Sequence, residues 1–324
     1  MISFKKYSNL ARFQSLIALF IMCLVLTLTA DNFMTADNFW NVLRQISVNV
    51  CISVGMTLVI LTSGIDLSVG SVLALCGAIT AGLLKHGISI PSANLFIGFT
   101  VFGVVVTGVL CGGALGFING YTISKFNVPS FVATLAMLTM ARGFTMLSTG
   151  GHPITGLGDT LGFLGTGWFL GIPMPVWISG MIVFAAVVVT SKTRFGRYIY
   201  AIGGNENAAR LSGIPVTKIK RWVYVIAGML AAIGGVLVTA RLDSAQPNAG
   251  ISYELDAIAA VVIGGTSLSG GRGSIIGTVL GAMIIGVLNN GLVLLDVSPF
   301  WQQVVKGLVI LIAVIIDKAN SKSE

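Results

Sequence analysis

Residues 48–84 read VNVCISVGMTLVILTSGIDLSVGSVLALCGAITAGLL. Two long apolar runs flank a short polar break, and the single charge in the stretch is Asp66. About 20 apolar residues carry a helix across the hydrocarbon core, and fewer suffice for a broken helix inside a bundle. Runs of this kind recur along all 324 residues. Ten candidate spans fall near 16–30, 48–62, 67–84, 95–118, 130–148, 175–190, 222–240, 255–267, 275–294 and 300–316. The chain reads as an all-α polytopic membrane protein with a single transmembrane domain over 1–324.

Composition agrees and excludes the other classes. Hydrophobic residues make up 55% and charged residues 9%, against about 25% charged in soluble domains. So few charges cannot coat a water-soluble surface, and so much apolar surface does not stay disordered. Cys23, Cys51, Cys76 and Cys111 each lie inside an apolar run without CxxC spacing, so they read as small buried hydrophobes. The two histidines, His86 and His152, have no cysteine near them in sequence, which leaves metal chemistry little material. Neither a GxxxxGK[ST] phosphate loop nor a GxSxG nucleophile turn occurs. The expectation is a protein without catalytic residues, metal or cofactor of its own.

The net charge of +8 records topology. With the N-terminus inside, fourteen of the nineteen Lys and Arg fall on the cytoplasmic face, and ten spans return the C-terminus there as well. Lys5, Lys6 and Arg12 precede the first span, which reads as an uncleaved anchor. The basic residues flank spans and carry no aromatic interleaving, so nucleic acid is not an expected partner. One cytoplasmic loop, about 192–221, holds seven basic residues and a single acid, Glu206. Within it Glu206–Leu211 favours a short helix, Gly213 ends it and Pro215 prevents continuation. The external loop, about 149–174, has no Lys or Arg and is placed to cover the outer mouth.

Glycine-rich segments at Ser63–Gly70, Gly264–Gly273 and Ala249–Gly250 point to discontinuous helices, or to ordinary glycine-capped helix ends. Asn119-Gly120 precedes Pro129-Ser130-Phe131, and Asn290-Gly291 precedes Pro299-Phe300-Trp301, as an inverted repeat of spans 2–5 and 7–10 would produce. Gly108, Gly112 and Gly116 share one helix face, as do Gly273, Gly277 and Gly281, so each stripe lets a neighbouring backbone approach closely. The candidates for a translocation path or gate are Asp66 and Ser68 at the first break, Asn119, Arg142, Glu254, Asp256, Thr266, Ser267 and Asn290. Ser68 and the charged candidates have structural alternatives. Asp66 or Ser68 would cap the third span. Glu254 and Asp256 would complement a helix dipole. Arg142 and the further lone cation Lys306 would snorkel or pair with acids. On these residues alone the chain reads as a polytopic helical membrane protein, with transport as its expected role. Coupling to protons or sodium through Asp66, Glu254 or Asp256, a passive channel and a scaffold all stay open.

The segment Glu206-x-Ala208-Ala209-x3-Gly213 resembles the cytoplasmic motif of permease subunits of ATP-binding-cassette importers. The segments 59–71, 193–205 and 253–267, with Ser244-Ala245-Gln246-Pro247, resemble the ribose-type sugar permeases within that family. The likeness runs from about residue 40 to the C-terminus. It implies a homodimer in the bacterial inner membrane, working with an ATPase subunit that binds the ATP and with a periplasmic sugar-binding protein. It implies uptake of a monosaccharide, ribose by similarity, through alternating access. It also implies that Glu206, Ala208, Ala209, Arg210 and Gly213 form the ATPase-coupling loop.

Overall fold

The computed structural model describes residues 2–90 and 95–322, with side chains described over 15–89 and 96–315. It is built from helices. In chain order the long ones are α1 (Ile2–Thr29), α2 (Ala36–Leu61), α3 (Val69–His86), α4 (Val101–Phe126) and α5 (Ser130–Thr149). A short α6 (Asp159–Thr166) follows, then α7 (Met174–Lys192), α8 (Arg194–Gly204) and α9 (Glu206–Leu211). The chain closes with α10 (Val216–Leu242), α11 (Tyr253–Ile263), α12 (Ile275–Leu294) and α13 (Pro299–Lys322). Three two-stranded ribbons decorate the loops: β1 (Ile88–Ile90) with β2 (Leu95–Ile97), β3 (Ile154–Thr155) with β6 (Ser244–Ala245), and β4 (Trp168–Phe169) with β5 (Ile172–Pro173).

Each of the ten expected spans falls on one of the ten helices α1–α5, α7 and α10–α13, with shifted ends. Among the described residues seven helices, α2, α3, α4, α5, α7, α10 and α12, are long and apolar enough to cross a membrane. Ser15–Thr29 and Pro299–Ile315 are shorter apolar segments. α11 has 11 residues and is too short to cross alone. It stops at Gly264 because Gly265 turns left-handed, with φ +82°. The amides of Gly265 and Thr266 then close back on the Val262 and Val261 carbonyls at 2.8 and 3.1 Å. α2 starts at Ala36 rather than near 48, because Thr35 Oγ1 caps it by accepting from the Asn38 amide. α4 starts at Val101 rather than 95, because 95–97 pairs with β1.

The helices sort into two compact units. The first comprises Met1–Gly64, Gly180–Val216 and Leu255–Glu324. Its α12 packs against α1 and α2. Gly286 admits Ile46, Gly291 admits Leu26, and the Thr57 and Thr278 hydroxyls meet at 2.7 Å. The expected stripe on α12 works as a contact face: a Cβ on Gly277 or Gly281 would strike the carbonyls of Gly264 and Ala260.

The second unit comprises Ile65–Ser179 and Thr217–Glu254. Its α3 packs against α4 and α5. α10 lies on α4 through the other stripe, where Gly112 faces the Gly228 carbonyl and Gly116 that of Tyr224. The loop expected over the outer mouth folds onto the end of α10, with Leu157 and Leu161 in an apolar cluster with Ala81, Val236, Ala240 and Ala245. Asp243 fixes it by accepting from the Leu157 amide at 2.8 Å.

The stripes give a paired prediction. Gly112→Ala places a methyl against backbone that cannot yield and should cost about 1–3 kcal/mol. Gly143, on exposed α5 surface with open space where a Cβ would sit, should gain about 0.5–1 kcal/mol as Gly143→Ala. Thermal unfolding of the two purified variants checks both signs.

Candidate functional site

Residues 192–216 of the basic loop belong to the first unit. α8 is amphipathic, with Gly196, Ile199 and Ile202 buried. Thr193 Oγ1 caps its start by accepting from the Gly196 amide at 3.2 Å. One residue, Asn205, ends α8 and begins α9. Its amide donates to the Ala201 carbonyl at 3.1 Å, and its side-chain oxygen accepts from the Ala208 amide at 2.9 Å. The two helices therefore share a joint without slack. α9 spans the residues expected for it. Gly213 ends it at φ +80°, with amides closing from Gly213 to the Arg210 carbonyl and from Ile214 to that of Ala209, both at 3.1 Å. Glu206 and Arg210 pair at 3.2 Å on its outer face, and Ala209 anchors its inner face. Leu211 stands out of the helix 90% exposed. Leu211 is absent from the motif residues named for the loop, and its sequence signal is an apolar residue closing a helix in a stretch of charges.

The path candidates fall in two groups. In the second unit Asp66, Ser68 and Asn119 form one buried network. Asp66 Oδ1 accepts from the Ser68 amide at 2.9 Å and from the Ser68 hydroxyl at 2.6 Å. Asn119 Nδ2 donates to Ser68 Oγ at 3.0 Å. The structure refines the capping expectation. Ser68 holds the N-cap position of α3, yet its side chain makes no cap bond, because its hydroxyl turns to Asp66. The break is tied to α5, as the Ile65 and Leu67 amides donate to Ser130 Oγ and Thr134 Oγ1, each at 3.2 Å. Arg142, also on α5, donates through Nη1 to the Pro247 and Ala249 carbonyls at 2.7 and 2.9 Å. Glu254 lies within its electrostatic reach. Arg142 thus holds the Ala249–Gly250 break in place.

The first unit holds the remainder. Lys306 Nζ donates to Asp256 Oδ2 at 3.0 Å, so the cation inside the apolar run of α13 finds its acid on α11. Asn290 and Asn38 exchange two amide bonds at 2.8 and 3.1 Å, joining α12 to the start of α2. Thr266 Oγ1 is buried without a hydrogen-bond partner among the described residues. Ser267 Oγ accepts from the Ser269 amide at 3.3 Å inside the glycine-rich loop. Among the described residues no group of three His, Cys, Asp or Glu side chains is arranged to hold a metal.

Comparison with known proteins gives a consistent picture. The family model described as branched-chain amino acid transport system / permease component matches residues 38–314. The ribose import permease protein of Escherichia coli (strain K12) is 51% identical, over 94% of this chain and 92% of its own length. That of Bacillus subtilis (strain 168) gives the same figures. The D-allose transport system permease protein of Escherichia coli (strain K12) is 40% identical over 91% of this chain and 88% of its own. No solved structure matches the chain.

Proposed function

The chain belongs to the permease-component family whose model spans residues 38–314, and from that premise we propose that it is the membrane subunit of an ATP-driven importer that carries ribose. Permeases that import ribose share half of its residues over nearly its whole length, in organisms as distant as Escherichia coli and Bacillus subtilis. The observation that carries the coupling is Leu211, an apolar side chain 90% exposed at the end of a rigid capped helix in the basic loop. What supports reading it as a contact with another protein is its setting, a capped helix among charges in the segment Glu206-x-Ala208-Ala209-x3-Gly213 that resembles the cytoplasmic motif of importer permeases. We assign that contact to an ATPase subunit, with Glu206, Ala208, Ala209, Arg210 and Gly213 shaping the docking helix.

The remaining features follow as parts of one proposal. The protein is a multi-pass permease of the inner membrane. Ten helices enter the bilayer, both termini lie in the cytoplasm, and two copies form a homodimer served by a periplasmic sugar-binding protein. The two units together make one permease domain. An inverted repeat accounts for their make-up: one unit joins α2 to α11–α13, the other joins α10 to α3–α5. Sugar passes by alternating access. Asp66, Ser68, Asn119, Arg142 and Glu254 set the breaks of one unit, and Asp256, Thr266, Ser267 and Asn290 those of the other. ATP supplies the direction, since a binding site alone shifts no equilibrium between its two faces.

Reconstitution in liposomes tests this. The permease with its ATPase and binding protein should accumulate ribose when ATP is supplied on the ATPase side, and the permease alone should accumulate none. Leu211→Asp should abolish co-purification of the ATPase while leaving the permease folded. Accumulation by the permease alone under an imposed ion gradient would replace this reading by ion coupling.

A further inference from the structure

Three segments far apart in sequence meet at one point within the first unit. α2 ends with a left-handed Ser63 at φ +60°, whose amide closes on the Ile60 carbonyl at 2.8 Å, while the Gly64 amide closes on that of Val59 at 3.1 Å. This cap leaves the Leu61 carbonyl without a partner inside its own helix. The Gly271 amide supplies one across 210 positions of sequence, at 3.0 Å. Ser63 Oγ then donates to the Ser269 carbonyl at 2.9 Å. The end of α8 enters the same point. A Cβ on Gly203 would meet the Leu61 carbonyl oxygen and the Gly271 amide nitrogen. Tyr200, one turn earlier, donates from its hydroxyl to the Gly273 carbonyl at 3.0 Å. At the centre the contacts are backbone on backbone, Gly203 against Leu61 and Gly271, and two side-chain hydroxyls, those of Ser63 and Tyr200, brace them from the sides.

We propose that this junction is the transmission joint of the transporter, in which Tyr200, Gly203, Gly271 and Ser63 are positioning residues that pass motion of α9 to the ends of α2, α11 and α12. The inference rests on the docking role of α9 given above. Asn205 caps the end of α8 and the start of α9, and the two helices pack against each other, so a displacement of α9 turns α8. α8 is held along its length by its buried face and by Gly196, which sits against the Val189 and Thr190 carbonyls. Its C-terminal end, at Gly203, is wedged between the last carbonyl of α2 and the loop that links α11 to α12. A rotation of α8 therefore moves the C-terminus of α2 and the start of α12 together, rather than dissipating in loop bending. The joint also explains why left-handed residues, Ser63, Gly270 at φ +86° and Gly271 at φ +71°, gather at one point. Each turns the backbone so that a carbonyl or amide faces across to another segment.

The test uses the full complex of permease, ATPase and binding protein in proteoliposomes. Tyr200→Phe combined with Ser63→Ala removes two cross-segment hydrogen bonds without adding bulk, and Gly203→Ala inserts a methyl into the wedge. The readouts are ATPase co-purification, ATP hydrolysis rate and ribose imported per ATP hydrolysed. ATPase association should stay at the wild-type level in both variants. The ATP hydrolysed per sugar imported should rise about fivefold or more. Tyr200→Phe with Ser63 intact should lie between wild type and the double variant. An unchanged ratio in the folded, ATPase-bound double variant would overturn the joint, whatever becomes of Gly203→Ala. Failure of the wild-type permease to bind the ATPase at all would instead overturn the docking role of α9.

Discussion

Lys306→Met should be the most damaging single substitution in the first unit, lowering stability by about 3–5 kcal/mol, because it leaves the Asp256 carboxylate buried without its counter-charge. The side chains are 24% and 5% exposed, so the acid gains little help from solvent. Asp256→Asn removes the charge instead and should cost less, since the amide oxygen still accepts from Lys306, which can snorkel along its own stem. Replacing both partners by apolar residues of similar volume, Asp256→Leu with Lys306→Met, should return stability to within about 1 kcal/mol of wild type or above it. Unfolding midpoints in detergent–lipid micelles order the four proteins. The double variant has a second use. An ATP-driven permease should keep ribose uptake once the fold is restored, whereas ion coupling through Asp256 would lose it. A Lys306→Met protein as stable as wild type would show that the pair holds nothing.

This ion pair also shows where the sequence ran out. Lys306 and Asp256 were each visible as a charge in or beside an apolar span, and cost alone implied a partner. Nothing local said that they were partners of one another 50 residues apart. Local signals were otherwise dependable. The stripes at Gly112 and Gly277 act as close-approach faces, and α9 occupies the six residues that its acid, glycine and proline marked out. Those features depend on neighbours within a turn or two. The Asn38–Asn290 exchange, the Arg142 clamp on the Pro247 and Ala249 carbonyls, and the meeting of Leu61, Gly203 and Gly271 depend on how distant helices cross. A polar residue in a span records that a partner exists and is silent on which. Helix ends were blurred for the related reason that capping and hairpin pairing, rather than hydropathy, set where α2 and α4 begin.

Asp66→Ala should cost about 3 kcal/mol, the second largest single effect, because one carboxylate oxygen serves two donors at a helix break. Asp66, Ser68 and Asn119 are each no more than 2% exposed. Removing the acceptor leaves the Ser68 amide buried and unpaired and frees the Ser68 hydroxyl on which Asn119 rests. Such orphaned groups carry their full desolvation cost. Asp66→Asn keeps an acceptor oxygen in the same place and should lose about 1 kcal/mol, the difference between a charge-assisted and a neutral hydrogen bond. The two variants separate the roles open for this residue. If Asp66 works by fixing the start of α3 against α5, ribose uptake per folded Asp66→Asn protein should stay near wild type. If its charge faces the solute path or binds a coupling ion, uptake should collapse in that variant although the fold persists. The geometry favours the first outcome, since Oδ1 is committed to backbone and hydroxyl donors two residues away. Thermal unfolding together with uptake normalised to folded protein decides between them. Collapse of uptake in stable Asp66→Asn would move this carboxylate from the scaffold of the break into the path itself.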